Sequence, residues 1–155
     1  METLLTVDAA RTFPGRPESA RAARIWAVSH LPPGSPAADD VALMVSELVT
    51  NALRYSRSAL PGGSVAVSLA IGGGQVRVDV VDQGTLPALA WLVLVELKAH
   101  RFGAGLVIVR ELADTFGVDG PRRWFTLGLG TTNMPGRTSP PDGRERRGER
   151  GPSQS

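Results

Sequence analysis

In the segment ELVTNALRYS, residues 47–56, a carboxylate and an amide stand four residues apart in an otherwise apolar, helix-forming run. Residues at that spacing lie one above the other on an α-helix, so Glu47 and Asn51 point into one volume of space. A carboxylate there can polarise a water or a hydroxyl. A neutral amide oxygen suits Mg²⁺, which prefers oxygen ligands and keeps several of its waters. For an isolated pair the plainer account is the solvated edge of an amphipathic helix, so the pair needs support from elsewhere in the chain.

Two further segments offer chemistry. In VVDQG, residues 80–84, an acid and a glycine close an apolar strand. An Asp at a strand end can accept a hydrogen bond from an exocyclic amino group such as that of adenine, and Gly84 lets another group approach the backbone. Taken alone, an Asp and a Gly after a strand more often make an ordinary turn. In FGAGLVIV, residues 102–109, two glycines separated by one residue directly precede an expected helix. Unobstructed N–H groups at the positive end of a helix favour phosphate, although a glycine-rich helix start with no ligand is equally common. There is no GxxxxGK segment and no strand-GxGxxG-helix followed by a ribose-binding acid, which excludes a P-loop and argues against a dinucleotide fold.

These residues need elements to position them. TLLTVDAARTF, residues 3–13, is expected as an edge strand ending at Pro14, and a first helix is expected over 17–30, with Ala20, Ala23, Ile25, Trp26 and Ala27 on its apolar side. LPPGSP is a loop, after which Asp39 or Asp40 can open a second helix. Val41, Met44, Val45, Leu48, Ala52 and Tyr55 form its apolar stripe, and Glu47 and Asn51 flank that stripe. SVAVSLAI and QVRVDVVD alternate around GGG at 72–74 and predict a hairpin, with no unique turn type. GAGLVIVRELADTFGV predicts a third helix stopped by Gly117, and RRWFTLGLG a last strand. The order is strand, helix, helix, two strands, helix, strand. Helices grouped against such strands predict a two-layer α/β sandwich, with a mostly antiparallel mixed sheet and three helices on one face.

Composition narrows the function classes. At 155 residues the chain suits one domain with a real core, and 42% hydrophobic with 21% charged residues fits a globular protein. The absence of cysteine excludes disulfides, thiolate metal sites and cysteine nucleophiles, and only His30 and His100 remain for imidazole chemistry. Residues 1–132 hold 12 Lys and Arg and 12 Asp and Glu, whereas residues 133–155 hold five Arg and three acids. The formal charge of +2 therefore lies in the tail, and the neutral body lacks the basic stripe of a direct nucleic-acid binder. The tail, rich in Pro, Gly and Arg, has the composition of a disordered appendage at 133–155 behind a domain at 1–132. No cationic start followed by an apolar secretory segment is visible. The longest apolar run, 86–97, contains Pro87 and Glu96 and falls short of the ~20 residues of a membrane helix. A cytoplasmic protein without membrane contact is expected.

The three segments are more specific together than singly. ELVTNALRYS, then DQG about 30 residues on, then GAGL about 20 beyond, in that order, resemble the ATP-binding (Bergerat) domain of gyrase, heat-shock chaperones, histidine kinases and mismatch-repair ATPases, the GHKL group. FPGRPESARAARIWA, DDVALMVSELVTNALRYS and GAGLVIVRELADTFGV resemble most its small bacterial branch, the anti-sigma-factor serine kinases, over roughly residues 10–130. The resemblance implies that Asn51 ligates Mg²⁺, that Glu47 is the catalytic base or water-positioning carboxylate, and that Asp82 pairs with the adenine amino group beside Gly84. It also implies that the Gly103, Ala104 and Gly105 amides cradle the phosphates of ATP, with Leu106 opening the helix behind them. Arg54 is a further candidate for phosphate. The partners it implies are a sigma factor and an antagonist protein phosphorylated on serine, and related proteins often pair as homodimers.

The chain departs from that pattern at residues 85–102, where the branch carries a polar lid. TLPALAWLVLVELKAHRF, with Trp91, Leu92, Val93, Leu94, Val95 and Leu97, is too apolar to stand in water without packing on the body or on a partner. DQGT also lacks a further glycine two residues after Gly84. Lys98, His100 and Arg101 are candidate phosphate contacts or a solvated lid edge. These departures bear on turnover more than on nucleotide binding. They keep a second reading open, a module that binds ATP or a protein partner and regulates by contact alone.

Overall fold

The computed structural model describes residues 5–84 and 104–130. Gly103, the apolar stretch 85–102 and the tail 133–155 lie outside these described residues. In chain order the elements are β1 (Leu5–Pro14), α1 (Glu18–Ser29), α2 (Ala38–Tyr55), a 3₁₀ turn (Arg57–Ala59), β2 (Ser64–Gly72), β3 (Gln75–Val81), α3 (Ala104–Leu112), β4 (Thr115–Asp119) and β5 (Arg122–Gly128). The strands form one sheet in the order β1-β2-β3-β5-β4. Each of the four pairings between described strands is antiparallel, so the mixed sheet expected from sequence is purely antiparallel there. Gly72 pairs with Gln75, leaving Gly73 and Gly74 as the β2–β3 loop. Both have positive φ, 60° and 74°, as a two-residue hairpin turn matched to strand twist requires.

Strand alternation sorts residues onto two faces. Val65, Val67, Leu69 and Ile71 of β2, Val76, Val78 and Val80 of β3, and Phe125 and Leu127 of β5 fall on the helix side and are all buried. Against them α2 buries Val41, Met44, Val45, Leu48, Val49 and Ala52, and α1 and α3 pack on α2 from either side. Each large side chain so buried contributes about 1.5–3 kcal/mol of transfer free energy, far more than α2 draws from helix propensity. The stripe predicted for α2 is thus its core face, and Tyr55 at its end is half-buried.

Three local expectations need correction. Neither Asp39 nor Asp40 caps α2. The helix begins at Ala38 after Ala37, with no side-chain cap, and both acids sit in the first turn, where the helix dipole favours a carboxylate. On α1 the buried positions are Ser19, Ala23 and Ala27, spaced by four, so Ile25 points outward and is 57% exposed. Trp26 packs edge-on against Phe13, with 5.9 Å between ring centroids, and against His30 at 4.9 Å.

The third correction adds a strand. The last helix stops at Leu112 rather than at Gly117, because Asp114 leaves the helix for the sheet. Its N–H donates to the Thr126 carbonyl at 2.9 Å, and its carboxylate accepts the Gly128 N–H at 2.7 Å. TFGVD is β4, an edge strand. Gly117 lies opposite Trp124, and a Cβ there would come within 2.5 Å of the indole. That glycine makes room for a ring; it does not end a helix. On the same open face Arg77 stacks over Trp124 at 4.4 Å from the centroid, and Arg77 and Arg122 flank Asp79. Among the described residues no helix is long and apolar enough to cross a membrane.

Candidate functional site

Where α2 ends, a short chain of hydrogen bonds sets the geometry. Ser56 leaves the helix in an extended conformation; its Oγ donates to the Ala52 carbonyl at 2.7 Å and accepts the Ser58 N–H at 3.0 Å, which turns the chain into the 3₁₀ segment. From that segment the Arg57 N–H donates to the Gly84 carbonyl at 2.8 Å, and Ser58 Oγ accepts the Gln83 N–H at 3.1 Å. Gln83 Oε1 accepts the Ser64 N–H at 3.0 Å. The DQG turn is therefore tied to the C-terminal end of α2, and Asn51, one turn before that end, is brought to the same end of the sheet as Asp82.

Asn51 is one of two buried polar residues of α2, the other being Asp40 in its first turn. Asn51 is 9% exposed, beside Leu48 and Ala52 of the core, and its buried Nδ2 has no hydrogen-bond partner among the described residues. Burying an amide donor without a partner is unfavourable by about 1–3 kcal/mol, so such a group calls for an explanation. Glu47, one turn earlier, is half-buried, and Arg54 is exposed. The helical geometry inferred from the ELVTNALRYS spacing is present.

Asp82 is held on every side. Its Oδ1 accepts the Gly84 N–H at 2.7 Å, its Oδ2 accepts from Arg123 Nη1 at 2.7 Å, and its own N–H donates to the Pro121 carbonyl at 3.0 Å. Gly84 has φ of 88°, a conformation that favours glycine. The Asp82 side chain is 6% exposed and that of Arg123 is 18%. An ionised carboxylate has about four lone-pair sites, so these two contacts leave acceptor capacity for a ligand.

Arg123 is the residue that sequence reasoning missed. Its signal lay in phase: β5 alternates, Phe125 and Leu127 face the helices, and Arg123 shares their side, opposite Val80. A charge in the inward phase of a strand demands a buried counter-charge, and Asp82, diagonal to it across the ladder, is that group.

Ala104 and Gly105 begin α3, where backbone N–H groups lack partners within the helix, and Leu106 follows half-buried. α3 packs on α2, so the second and third segments both adjoin the helix carrying Glu47 and Asn51. Among the described residues no group of three or more His, Asp or Glu could form a metal cage. A divalent ion at this end of α2 would be held by Asn51 together with phosphate oxygens and water, the manner usual for Mg²⁺. A groove of about 330 Å³ lined by Ala10, Thr12, Ala66, Ser68, Val81 and Arg122 lies on the open face of the sheet and holds none of the sequence-predicted residues.

The family model of the histidine kinase-like ATPase domain matches residues 13–127, and the chain belongs to that family. Domains of this family bind ATP, usually with Mg²⁺. No curated protein matches the sequence.

Proposed function

We propose that this protein is a Mg-ATP-dependent serine kinase of the anti-sigma-factor type, which holds a sigma factor and phosphorylates the antagonist that would release it. The observation that carries the nucleotide reading is the buried Nδ2 of Asn51, without a partner among the described residues, on the same helix side as Glu47 and at the same end of the sheet as the anchored Asp82. An amide so placed has donor and acceptor atoms for phosphate oxygen and metal without adding charge. Mg²⁺, when bound, neutralises charge on the phosphates of ATP.

The chain's own residues divide the remaining work. Asp82 accepts from the amino group of adenine. Asn51 and the Gly103–Gly105 amides orient the phosphates, and Glu47 accepts the proton of the attacking serine hydroxyl as its oxygen bonds to the γ-phosphorus and ADP leaves. Phosphoryl transfer needs mainly positioning and charge stabilisation, which these groups supply.

One observation favours a second reading, in which the protein binds ATP without turnover and regulates by contact alone: the apolar sequence TLPALAWLVLVELKAHRF stands where the branch it resembles has a polar lid. Calorimetric titration with ATP, with and without Mg²⁺, followed by transfer of labelled γ-phosphate to a candidate antagonist, separates the two. The kinase reading expects Mg-dependent binding that Asn51→Ala abolishes, and transfer that Glu47→Ala abolishes while binding persists. Binding without transfer to any serine-containing antagonist would favour the contact-only module, and absence of binding by the folded wild type would remove both.

A further inference from the structure

We infer that Arg123 is a positioning residue that sets base selectivity, holding the Asp82 carboxylate in the orientation that reads a 6-amino purine. The inference rests on the nucleotide reading above and assigns a role to a residue which that reading leaves unused.

Asp82 is among the least exposed charged side chains described, at 6% of its free area, and a carboxylate taken that far from water requires a partner. Two groups compete to orient it. The Gly84 N–H binds Oδ1 from within the same turn, a contact that any Asx-type turn would make. Arg123 binds Oδ2 from a different strand, at 2.7 Å, and is itself mostly buried. With one oxygen fixed by the turn and the other by β5, rotation of the carboxyl group is blocked at both ends. Its remaining lone pairs therefore have one direction, set by the sheet.

A turn contact alone leaves the second oxygen free to swing toward water. The arginine converts a surface-turn aspartate into a rigid acceptor, which is what discrimination between an amino group and its absence requires. Discrimination by hydrogen bonding is steep where the acceptor is buried and held in place, so that the wrong ligand leaves the lone pairs not taken by Gly84 and Arg123 unpaired.

The base end of the site is also braced independently of α2. Pro121, in the β4–β5 turn, accepts the Asp82 N–H, and β5 pairs with β3 along its length. Arg123 therefore acts from a strand paired along its length.

The test compares ATP with purine riboside triphosphate, which lacks only the 6-amino group, by calorimetric titration of the full chain with Mg²⁺ for the wild type, Arg123→Met and Arg123→Lys. A hydrogen bond to a charged acceptor corresponds to a preference of roughly 10-fold to 100-fold, and the wild type is expected to favour ATP by that ratio. In Arg123→Met the ratio falls to about 1 while purine riboside triphosphate binds nearly as before, and Arg123→Lys, which keeps the cation, recovers most of the preference.

A variant in which both affinities fall together and the ratio stays at its wild-type value would make Arg123 a structural strut and overturn the inference. So would a wild type that binds both triphosphates equally. A folded wild type that binds neither would overturn the nucleotide reading itself, an outcome visible before any variant is measured. Should Arg123→Met fail to fold, as circular dichroism would reveal, Arg123→Gln supplies the uncharged comparison.

Discussion

Replacing Asn51 with leucine should stabilise the nucleotide-free protein while abolishing its response to Mg-ATP. Asn51 lies on α2 at 9% exposure, and its Nδ2 has no partner among the described residues. Removing an unsatisfied buried donor returns about 1–3 kcal/mol, and leucine is a better helix former than asparagine by roughly 0.4 kcal/mol. Leucine branches at Cγ like asparagine but is bulkier, with two methyls on a tetrahedral carbon in place of a planar amide, and imperfect fit among Leu48, Ala52 and their neighbours takes back about 1 kcal/mol. The net gain is about 1–2 kcal/mol, or roughly 4–8 °C in Tm for a domain of this size. Thermal unfolding followed by circular dichroism without nucleotide measures it directly. Adding Mg-ATP to 1,000 times its Kd should stabilise the wild type by about 4 kcal/mol and the variant not at all, so the ligand reverses the order of the two midpoints. If Asn51→Leu unfolds at a lower temperature than the wild type without nucleotide, the amide is a structural group and the reasoning fails. It fails equally if Mg-ATP raises both midpoints by the same amount.

Three other perturbations test the frame around the site. Burial opposes ionisation of Asp79, but hydrogen bonds from Arg77 and Arg122 outweigh it and hold the carboxyl below its usual range. Because the folded value lies below the unfolded one, the ionised carboxylate contributes stability near neutral pH that is lost as pH falls below about 4. Asp79→Asn should therefore lower the neutral midpoint by about 1 kcal/mol, the arginines being half exposed, and flatten the acid limb of Tm against pH; an acid limb as steep as in the wild type would refute the assignment. Gly15→Ala would place a methyl 1.7 Å from the Ser58 carbonyl oxygen, a backbone atom that cannot turn aside. A loss of about 2–4 kcal/mol in urea unfolding is expected, together with weaker nucleotide binding because Ser58 also anchors the DQG turn; an unchanged midpoint would show that the loops separate freely. Gly117→Ala forces the Trp124 indole outward, and a red shift in tryptophan emission with a loss of about 1–3 kcal/mol should report it.

The elements that sequence made legible are those with a strong period and a buried face. α2 declared itself through Val41, Met44, Val45, Leu48 and Ala52, and the hairpin through alternation on both sides of its glycines; each of those apolar residues is in the core. β4 was illegible for a physical reason. It is a five-residue edge strand, only partly buried, with a glycine at its centre, so neither period nor propensity marks it. Its reason for being a strand lies in Trp124, a residue of β5, and in the Asp114 contacts to the same strand. Likewise Asp82 was visible as an acid at a strand end, but its partner was not, because Arg123 is 41 residues away and the pairing exists only once β3 and β5 are in register. Local pattern reports what one element buries; long-range ion pairs are a property of the register between elements.

That difference bears on how the site divides its tasks. At the base end, Asp82 has a turn amide on one oxygen and Arg123 Nη1 on the other, so a nucleobase would meet a preorganised acceptor, while Arg123 Nε is buried with no partner among the described residues. At the other end of the same constellation, Asn51 Nδ2 is buried with no partner among the described residues, an unfavourable arrangement that a phosphate oxygen would relieve. Affinity for the base should therefore respond to substitutions that loosen Asp82, and the gain in stability on binding should respond to substitutions at Asn51. A double replacement, Arg123→Met with Asn51→Leu, tests this separation through unfolding without nucleotide. Because the two residues share no hydrogen bond in the structure, their effects on Tm should add to within about 0.5 kcal/mol, one destabilising and one stabilising. A larger coupling would mean that the two ends form one network and that the base and phosphate tasks are not separable.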